Sequence, residues 1–431
     1  MTTVAFLTLF FGLISGPYPL ELAVDGPVAA VEVQVDGHVA GRIEEAPWKA
    51  TLDFGPALLP HQIVARALDS KGGEIARAEE WANLPHPLTK VDIVLERDGD
   101  HPPKAARVAW KNLVGEQVRS VDLTFDGEPV KLDRDGRGVL PRHDLKSFHT
   151  LAARVTFKSY RTVRREITYG GEYGGEVSTE LTGVPLRAKH GKPPAAAQLA
   201  GWLTENGQPL SVNAVEEGPA QLFAVRGFFN NDFEPKAAKL RNLTGQLLGE
   251  ADQLLFVSTA AHRISASNES SDLFLITEPT HYGGGSDLFR LFRQWSAPEA
   301  APGSMRIADA VASAGLAALR ENRRRAVLLI LSGNPEDVSV YDPATVRGFL
   351  AALRVPLFVW YLGTPKPGST AEAWNAEEIS QTWHVAAAAE RIRKELDAQR
   401  IVMVDGRHLP QSIALSPAAS AAGLELVGMT P

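Results

Sequence analysis

The segment Val31-Glu-Val-Gln-Val-Asp-Gly37 recurs later in the chain as Val121-Asp-Leu-Thr-Phe-Asp-Gly127. Each copy alternates apolar and polar residues and ends in Asp-Gly, which is typical of a β-strand that enters a tight hairpin turn. A second pair, His61-Gln-Ile-Val-Ala-Arg-Ala67 and His149-Thr-Leu-Ala-Ala-Arg-Val155, is separated by nearly the same number of residues. The sequence therefore contains a duplication of about ninety residues.

The regions around these repeats are typical of antiparallel β-sandwiches. From residue 17 to about residue 184, short alternating apolar runs are separated by Asp-Gly, Gly-Pro and Pro at roughly ten-residue spacing. Duplicated units of this size indicate tandem immunoglobulin-like (Ig-like) sandwiches. We predict one at residues 17–92, a second at residues 93–185 and a linker at residues 186–198. His61 and His149 begin equivalent strands, which favours a structural role for both.

After this linker, from residue 199 to residue 431, apolar strands alternate with amphipathic helices. Near-continuous apolar runs indicate strands that are buried on both faces. The predicted strands are Leu222–Val225, Leu254–Val257, Leu273–Ile276, Val327–Leu331 and Val355–Leu362, with a final run at Ile401–Val404. This order predicts an α/β domain of the doubly wound (Rossmann-like) class, with a mainly parallel sheet between two layers of helices.

Capping residues place the helices between these strands. Asp232 can cap a helix from about Pro235, and Ser304 can cap another that carries apolar residues at helical spacing. Asp342-Pro343 combines an N-cap residue with proline at the first helical position, which is a strong helix start. A further helix is predicted over residues 370–399.

Composition excludes several classes of protein. The 431 residues include 44 basic and 51 acidic ones, and the formal net charge of -7 gives no reason to expect nucleic acid or an anionic membrane as the main partner. There is no cysteine, so disulfides, a thiol nucleophile, iron–sulfur clusters and cysteine-ligated zinc are excluded. No apolar run is long enough to span a bilayer.

The most apolar segment, Val4–Ile14, lies near the N-terminus and has two interpretations. It has the length of a signal-peptide core, which predicts export with residues 1–16 as the signal, although no Lys or Arg precedes it. The alternative is a first core strand of a cytoplasmic protein.

Catalytic motifs are missing from the sequence. No Gly-x-Ser-x-Gly elbow, Walker loop, Gly-x-Gly-x-x-Gly fingerprint or His-x-x-x-His pair occurs. Gly283-Gly-Gly-Ser-Asp287 is interpreted as a loop, with an anion-binding nest as its alternative. Arg320, Arg323, Arg324 and Arg325 form a basic cluster that either complements a helix end or docks an acidic partner. The chain is therefore predicted not to be an enzyme.

Three motifs within about Leu199–Gly428 resemble a von Willebrand factor A (VWA) domain, and more narrowly the VWA-related proteins common in Acidobacteria. They are Trp202-Leu-Thr-Glu-Asn-Gly-Gln-Pro-Leu-Ser-Val-Asn213, Gly303-Ser-Met-Arg-Ile-Ala-Asp-Ala310 and Arg323-Arg-Arg-Ala-Val-Leu-Leu-Ile-Leu-Ser332. This resemblance implies a VWA fold and a general binding role. It also implies a metal-ion-dependent adhesion site, in which Asp-x-Ser-x-Ser, a Thr and a later Asp supply oxygen ligands to a divalent ion.

This sequence departs from that pattern in all three loops. The metal-ligand positions carry Arg226 for the first Asp, Phe228 and Asn230 for the two serines, Met305 for the Thr, and Gly333 or Asn334 for the last Asp. A guanidinium at the first position would repel a cation. We therefore predict a degenerate site with no cofactor. The alternative is a Mg²⁺ or other divalent-ion site with shifted ligands such as Asp232 and Asp337.

The predicted function is that of a non-catalytic, exported interaction protein with an unidentified protein partner. Its binding surface is expected in the loops that follow the strands, because ligands of open α/β sheets bind there. The candidate binding residues are Arg226, Asn230, Asn231, Asp232, Ser286, Asp287, Asn334, Glu336, Asp337 and Ser339. Helix caps and turns are the alternative explanation for most of these polar residues.

Overall fold

The computed structural model divides the chain into two compact units. One unit combines Met1–Pro85 with Leu181–Pro431, and the other is His86–Glu180. The structure describes all residues except 1, 9, 11, 86–88, 97–101, 113–116, 159–161, 171–180, 190, 192, 217, 229–246, 267–268, 278–279, 282–287, 289–290, 293–296, 299, 302 and 429–431. Most of the described secondary structure is β-sheet, arranged largely as sandwiches.

The N-terminal region forms the first sandwich. Its strands are β1 (Thr3–Phe6), β2 (Pro17–Asp25), β3 (Ala30–Val35), β4 (His38–Ile43), β5 (Lys49–Asp53), β6 (His61–Leu68) and β7 (Glu74–Ala82). They form two sheets with strand orders β1-β2-β5 and β4-β3-β6-β7. Alternate residues such as Leu20, Val33 and Ile63 fill one core between the sheets, as the alternating sequence predicts.

The unit 86–180 repeats this arrangement. Its strands are β8 (Thr89–Glu96), β9 (Ala105–Asn112), β10 (Val118–Phe125), β11 (Glu128–Val130), β12 (Arg137–Val139), β13 (Phe148–Phe157) and β14 (Thr162–Gly170). The sheet orders are β11-β10-β13-β14 and β12-β9-β8. Leu123, Leu151 and Val155 are buried in its core. Ig-like β-domains are therefore present in both halves of the predicted duplication.

The duplicated segments pair with one another in each copy. Strand β3 pairs with β6, with Val35 opposite Ile63, and β10 pairs with β13, with Phe125 opposite Leu151. The Asp of each Asp-Gly turn has a left-handed backbone, with φ of 51° at Asp36 and 49° at Asp126. The repeated sequence segments therefore form equivalent pairs of strands in the two sandwiches.

A carboxylate–histidine clamp closes each of these turns. Nδ1 of His61 lies 2.7 Å from Oδ2 of Asp36, and Nδ1 of His149 lies 2.7 Å from Oδ2 of Asp126. The other carboxylate oxygen accepts a hydrogen bond from the following amide, which is that of Gln62 in the first copy and of Thr150 in the second (2.9 and 2.7 Å). The predicted structural role of both histidines is confirmed.

Residues 181–428 contain two further sheet systems and all of the described α-helices. The strands are β15 (Leu181–Ala188), β16 (Leu203–Glu205), β17 (Gln208–Pro209), β18 (Val212–Glu216), β19 (Gln221–Gly227), β20 (Gln253–Ala266), β21 (Glu269–Ile276), β22 (Thr280–His281), β23 (Arg325–Leu331), β24 (Leu357–Tyr361), β25 (Glu377–Glu378), β26 (Arg400–Asp405), β27 (Ile413–Leu415) and β28 (Leu424–Leu426). The helices are α1 (Ile307–Ala318), α2 (Pro343–Ala352), α3 (Thr370–Ala373), α4 (Thr382–Ala398) and α5 (Pro417–Ala421), besides a 3₁₀ turn at Ala196–Gln198.

A small third sandwich is built from the two flanks of this half. One sheet has the order β18-β26-β15-β28 and the other β17-β16-β27. Strand β15 includes Leu186, which is fully buried, so the first residues of the predicted linker 186–198 are part of a core strand. The predicted final strand Ile401–Val404 lies in β26 of this sandwich, beside β15 and β18, and not in the parallel sheet.

Between these flanks lies a parallel sheet of order β21-β20-β19-β23-β24-β25. Strands β20, β19, β23, β24 and β25 run parallel, β21 runs antiparallel at one edge, and β22 also pairs with β20. Helices α1 and α2 pack on the face that carries Val225 and Leu329. Helix α4 packs on the opposite face with Ala224 and Leu328. The other five predicted strands are observed in this sheet, although β20 continues past its predicted end at Val257 to Ala266 and β21 begins at Glu269, before its predicted start at Leu273.

Two helix predictions need correction. Ser304 does not cap α1, because its hydroxyl donates to the carbonyl of Ala301 instead. The single helix predicted over residues 370–399 is divided into α3, the short strand β25 and α4. Trp374 is buried and Asn375 has a left-handed φ of 53°, so the chain turns there to pair β25 with β24. The predicted cap at Asp342 is confirmed, since its side chain accepts from the amides of Ala344 and Thr345.

The apolar N-terminal segment is packed into the first sandwich. Residues Thr3–Phe6 form β1, and Phe10 and Ile14 are buried in the core. Among the described residues, no helix has both the length and the apolar character needed to cross a membrane.

Candidate functional site

The candidate site lies at the carboxyl edge of the parallel sheet, where ligands of open sheets usually bind. We call residues 333–341, which follow β23, the edge loop. Its first residue is joined to the end of β24, because the Tyr361 hydroxyl donates to the carbonyl of Gly333 at 3.0 Å. Thr370 also donates from its amide and hydroxyl to the side-chain oxygen of Asn334, at 3.1 and 3.0 Å. The predicted binding residue Asn334 is thus engaged with the start of α3.

Asp337 and Ser339 of the edge loop cap helix α1. Oδ1 of Asp337 accepts from the amide of Ile307 at 2.9 Å, and Oδ2 accepts from the amide of Ala308 at 3.2 Å. The hydroxyl of Ser339 accepts from the amide of Asp309 at 3.2 Å and donates to Asp337 at 2.6 Å. These two candidate residues therefore satisfy the free amides of a helix N-terminus, although they are distant from it in sequence.

A buried carboxylate, Asp309, fixes the other end of the edge loop. It is 1% exposed and accepts hydrogen bonds from the amides of Val340 and Tyr341, at 2.9 and 3.2 Å. Its charge is balanced by Arg306, whose Nε lies 2.7 Å from Oδ2 and which also pairs with Asp272. Burial opposes the charged form of Arg306, but the bonds to Asp272 and Asp309 outweigh it, so its pKa is raised above the ordinary value.

The edge loop exposes apolar side chains on this fixed backbone. Val338 is 43% exposed and Val340 is 73% exposed. The amide of Val338 donates to the carbonyl of Met305 at 2.9 Å, so its backbone is held while its side chain faces solvent. Glu336 is exposed beside them and makes no hydrogen bond or ion pair within the described part of the chain. A rigid loop that presents apolar groups loses little conformational entropy when a partner binds.

Two described positions of the metal site that the VWA resemblance implies, Arg226 and Met305, carry side chains without an oxygen ligand. Arg226 is 8% exposed at the end of β19, with its guanidinium 5.3 Å from the ring centre of Phe228. Met305, at the threonine position, is buried in the core and offers no oxygen ligand from its side chain. Asp337, a proposed shifted ligand, is already surrounded by amide and hydroxyl donors. Within the described residues, no three His, Asp or Glu side chains are grouped as a metal site requires.

Five predicted binding residues lie outside the described residues, so the structure does not place them. They are Asn230, Asn231, Asp232, Ser286 and Asp287. The predicted helix from Pro235 and the glycine-rich loop 283–287 lie outside them as well.

The sequence interpretation missed Arg306, Asp309 and Tyr341, which organise the site. A signal for the first two was present, because an Arg and an Asp three residues apart at a helix start can pair. No local sequence pattern identifies Tyr341, because its hydrogen-bond partner Leu13 is distant in the sequence.

The arginine cluster at residues 320–325 is only partly exposed. Arg325 is fully buried in β23, and burial lowers its pKa to about 10. Arg324 donates to the carbonyls of Gly218 and Leu396, at 2.8 and 2.9 Å. Arg323 pairs with Glu321 at 2.8 Å. Arg324 and Arg325 therefore lie within the fold, whereas Arg320 is exposed.

A separate histidine cluster lies in the unit 86–180. The ring of His143 is 4.8 Å from the ring of His149 and its Nε2 is 2.9 Å from the Tyr169 hydroxyl. Nε2 of His149 lies 2.9 Å from the carbonyl oxygen of Asp144, while Nδ1 contacts Asp126. Nδ1 of His143 lies 2.7 Å from the carbonyl oxygen of Pro141, so all four ring nitrogens have partners, which fits a structural cluster that holds the turn.

Comparisons with known proteins found only weak similarities, all of them to solved structures. No family model matches the chain, and no curated protein matches it. Among solved structures, the chain is similar to fibronectin(III)-like modules of Clostridium thermocellum CbhA (17% identity, 19% of this chain and 93% of that chain, TM-score 0.17). It is also similar to the central fibronectin-III array of RIM-binding protein (10% identity, 45% and 80%, TM-score 0.23). A β-glycosidase from Bacteroides vulgatus matches at 13% identity over 38% of this chain and 24% of its own length, with a TM-score of 0.22. At these TM-scores the similarities do not bear on function.

Proposed function

We propose that the protein is a non-catalytic interaction protein whose edge loop, on a VWA-like domain, binds a protein partner without a metal ion. The observation that carries this proposal is the edge loop itself. Its backbone is fixed at Asp309, Asp337 and Tyr361, while Val338 and Val340 remain exposed. Neighbouring apolar groups that are held exposed on a fixed backbone can bind a partner at a small cost in conformational entropy.

The strand order supports the VWA-like part of this proposal. The first strand, β19, lies at the centre of the parallel sheet, β20 and the antiparallel β21 lie on one side, and β23 and β24 lie on the other. Helices cover both faces. The three motifs that suggested the family lie within this half of the chain. An antiparallel edge strand is common in otherwise parallel sheets, so the sheet order does not identify the family by itself. It supports the resemblance only in combination with the three motifs.

The residues at the metal-ligand positions support the proposal that the partner binds without a metal ion. Arg226 brings a positive charge to the place where the family pattern has a carboxylate. Asp337, the described residue of the shifted-ligand alternative, uses both carboxylate oxygens for helix capping. A metal would have to displace these amide donors before it could bind there.

Substitution of Val340 tests the proposed binding surface. Val340→Asp should remove an apolar anchor and prevent capture of the partner that the wild-type chain retains in extracts of its own cells. Val139, 69% exposed in the unit 86–180, offers a matched control, because Val139→Asp makes the same change at similar exposure. Equal loss of the partner with both variants, or with neither, would remove the support for the edge loop.

The location of the protein is a separate proposal. Export is supported by the apolar character of Val4–Ile14. The packing of the same segment in the first sandwich supports the alternative, in which it is a strand of the functional fold. Cell fractionation combined with the intact mass distinguishes them: an exported chain shortened by about sixteen residues supports a cleaved signal, and a full-mass chain inside the cell supports the alternative.

A further inference from the structure

Several of the N-terminal residues 3–8, 10 and 12–15, which we call the strap, contact the rest of the fold. Strand β1 pairs with β2, with Thr3 opposite Asp25 and Phe6 opposite Leu22. Beyond β1, the hydroxyl of Thr8 accepts from the amide of Glu21 at 2.8 Å. The strap therefore begins as an edge strand of the first sandwich.

A buried aromatic residue anchors the middle of the strap. Phe10 is fully buried, and its ring centre lies 5.8 to 6.0 Å from those of Phe6, Tyr18 and Phe54. These distances are typical of favourable aromatic pairs. Removal of Phe10 would leave a cavity among three aromatic rings, which is costly in a packed core.

Asn83 holds the end of the strap. Its side chain is fully buried; Oδ1 accepts from the amide of Ile14 at 2.7 Å, and Nδ2 donates to the carbonyl of Ile14 at 2.6 Å. Nδ2 also donates to the carbonyl of Leu59 at 2.7 Å. Without Ile14, this buried amide would lose two of its three hydrogen bonds.

The strap continues to the candidate site. The hydroxyl of Tyr341, the last residue of the edge loop, donates to the carbonyl of Leu13 at 3.1 Å, and the Ser15 hydroxyl lies 3.5 Å away. The amide of Tyr341 donates to Asp309, the buried carboxylate that fixes the loop. Burial raises the pKa of the Tyr341 hydroxyl, so it remains a donor at neutral pH.

We propose that the strap stays in the functional protein and holds the C-terminal end of the edge loop through Tyr341. The residues that the sequence identifies as the core of an export signal are then a structural part of the loop's support. Only the consequence for partner binding rests on the function proposed above. The physical link between the strap and the loop can be measured without any partner.

Hydrogen exchange of the full chain tests this link. Tyr341→Phe removes one hydroxyl and keeps the ring, so amides in residues 12–16 should exchange roughly two- to tenfold faster, as expected for one lost hydrogen bond. Tyr169→Phe is the matched control, because it removes a bonded hydroxyl from the unit 86–180. Unchanged exchange at residues 12–16 in Tyr341→Phe would overturn the proposed link.

Two further measurements test the strap as a whole. In Phe10→Ala, the loosened strap should raise exchange in residues 338–341 as well as in residues 12–16; an effect confined to the sandwich would contradict support of the loop. The N-terminal peptide of the chain purified from its own cells should contain residues 3–15, and a functional chain that begins after them would overturn retention. A failure of Val340→Asp to affect partner capture would contradict the proposed function and leave these results unchanged.

Discussion

Individual carboxylates of this protein have defined structural partners, and Asp337 is the described residue of the shifted-ligand metal alternative. Its two oxygens accept from the amides of Ile307 and Ala308, so it acts as a helix cap contributed by a distant loop. The neighbouring Glu336 is exposed and unbonded within the described residues. Two acidic residues side by side therefore offer a direct comparison between a cap and a free charge.

Asp337→Ala should lower the free energy of unfolding by about 1 kcal/mol, the usual cost of losing a helix cap. Glu336→Ala, the control, should change it by less than about 0.5 kcal/mol, as surface substitutions usually do. Urea unfolding with and without Mg²⁺, and with a chelator, measures both. We expect the same loss from Asp337→Ala in all three conditions. A loss that appears only with Mg²⁺ present would favour the shifted-ligand metal site instead.

Asp126 gives the unit 86–180 a predictable pH dependence. Burial opposes its charged form, but the bonds from the His149 ring and the Thr150 amide outweigh it, so its pKa lies below the ordinary value. A lowered carboxyl pKa stabilises the fold above the unfolded-state value of about 4, and this contribution is lost as the pH falls through the folded-state value.

Asp126→Asn should therefore reduce the loss of stability on acidification. Urea unfolding of the full chain between about pH 3 and pH 7 measures this. Asp122→Asn, an exposed change on the same strand β10, should leave the pH profile as in the wild type. A profile for Asp126→Asn that is identical to the wild type would show that the clamp makes no pH-dependent contribution.

At the scale of elements, the sequence predicts strands better than it predicts helix continuity. The alternating segment His61–Ala67 lies within β6, and Asp342-Pro343 marks the start of α2, because both signals are local. The break within residues 370–399 was missed, since it depends on burial of Trp374 and on pairing of β25 with β24. The cap of α1 was missed for the same reason: its capping residues come from the edge loop.

Asn375 tests the cause of that break. Its φ of 53° lies in the left-handed region, which Asn and Gly adopt more readily than other residues. Asn375→Ala should lower the free energy of unfolding by about 1 kcal/mol, whereas Asn375→Gly, the control, should have little effect. Thermal unfolding of both variants measures the difference. Equal stability of Ala and Gly at this position would mean that the backbone conformation does not limit the turn.

For the whole molecule, the third sandwich was the least predictable part, because its strands come from both flanks of the parallel sheet. The interpretation from sequence treated 186–198 as a linker and Ile401–Val404 as the end of an α/β domain. In the structure, Leu186 pairs with Arg400 and Val184 with Val402. Such pairing joins residues more than two hundred positions apart, and no local pattern reveals it.

This pairing predicts where the C-terminal half can be divided. Fragment 181–431 keeps β15, which pairs with both β26 and β28, whereas fragment 199–431, the span of the predicted domain, lacks it. Loss of β15 removes the buried Val184 and Leu186 and exposes the edges of two strands, which favours aggregation. Both fragments lack the first sandwich, so its absence does not distinguish them. We therefore expect fragment 181–431 to melt cooperatively at a higher temperature than fragment 199–431, and equal melting temperatures would mean that β15 contributes little to the third sandwich.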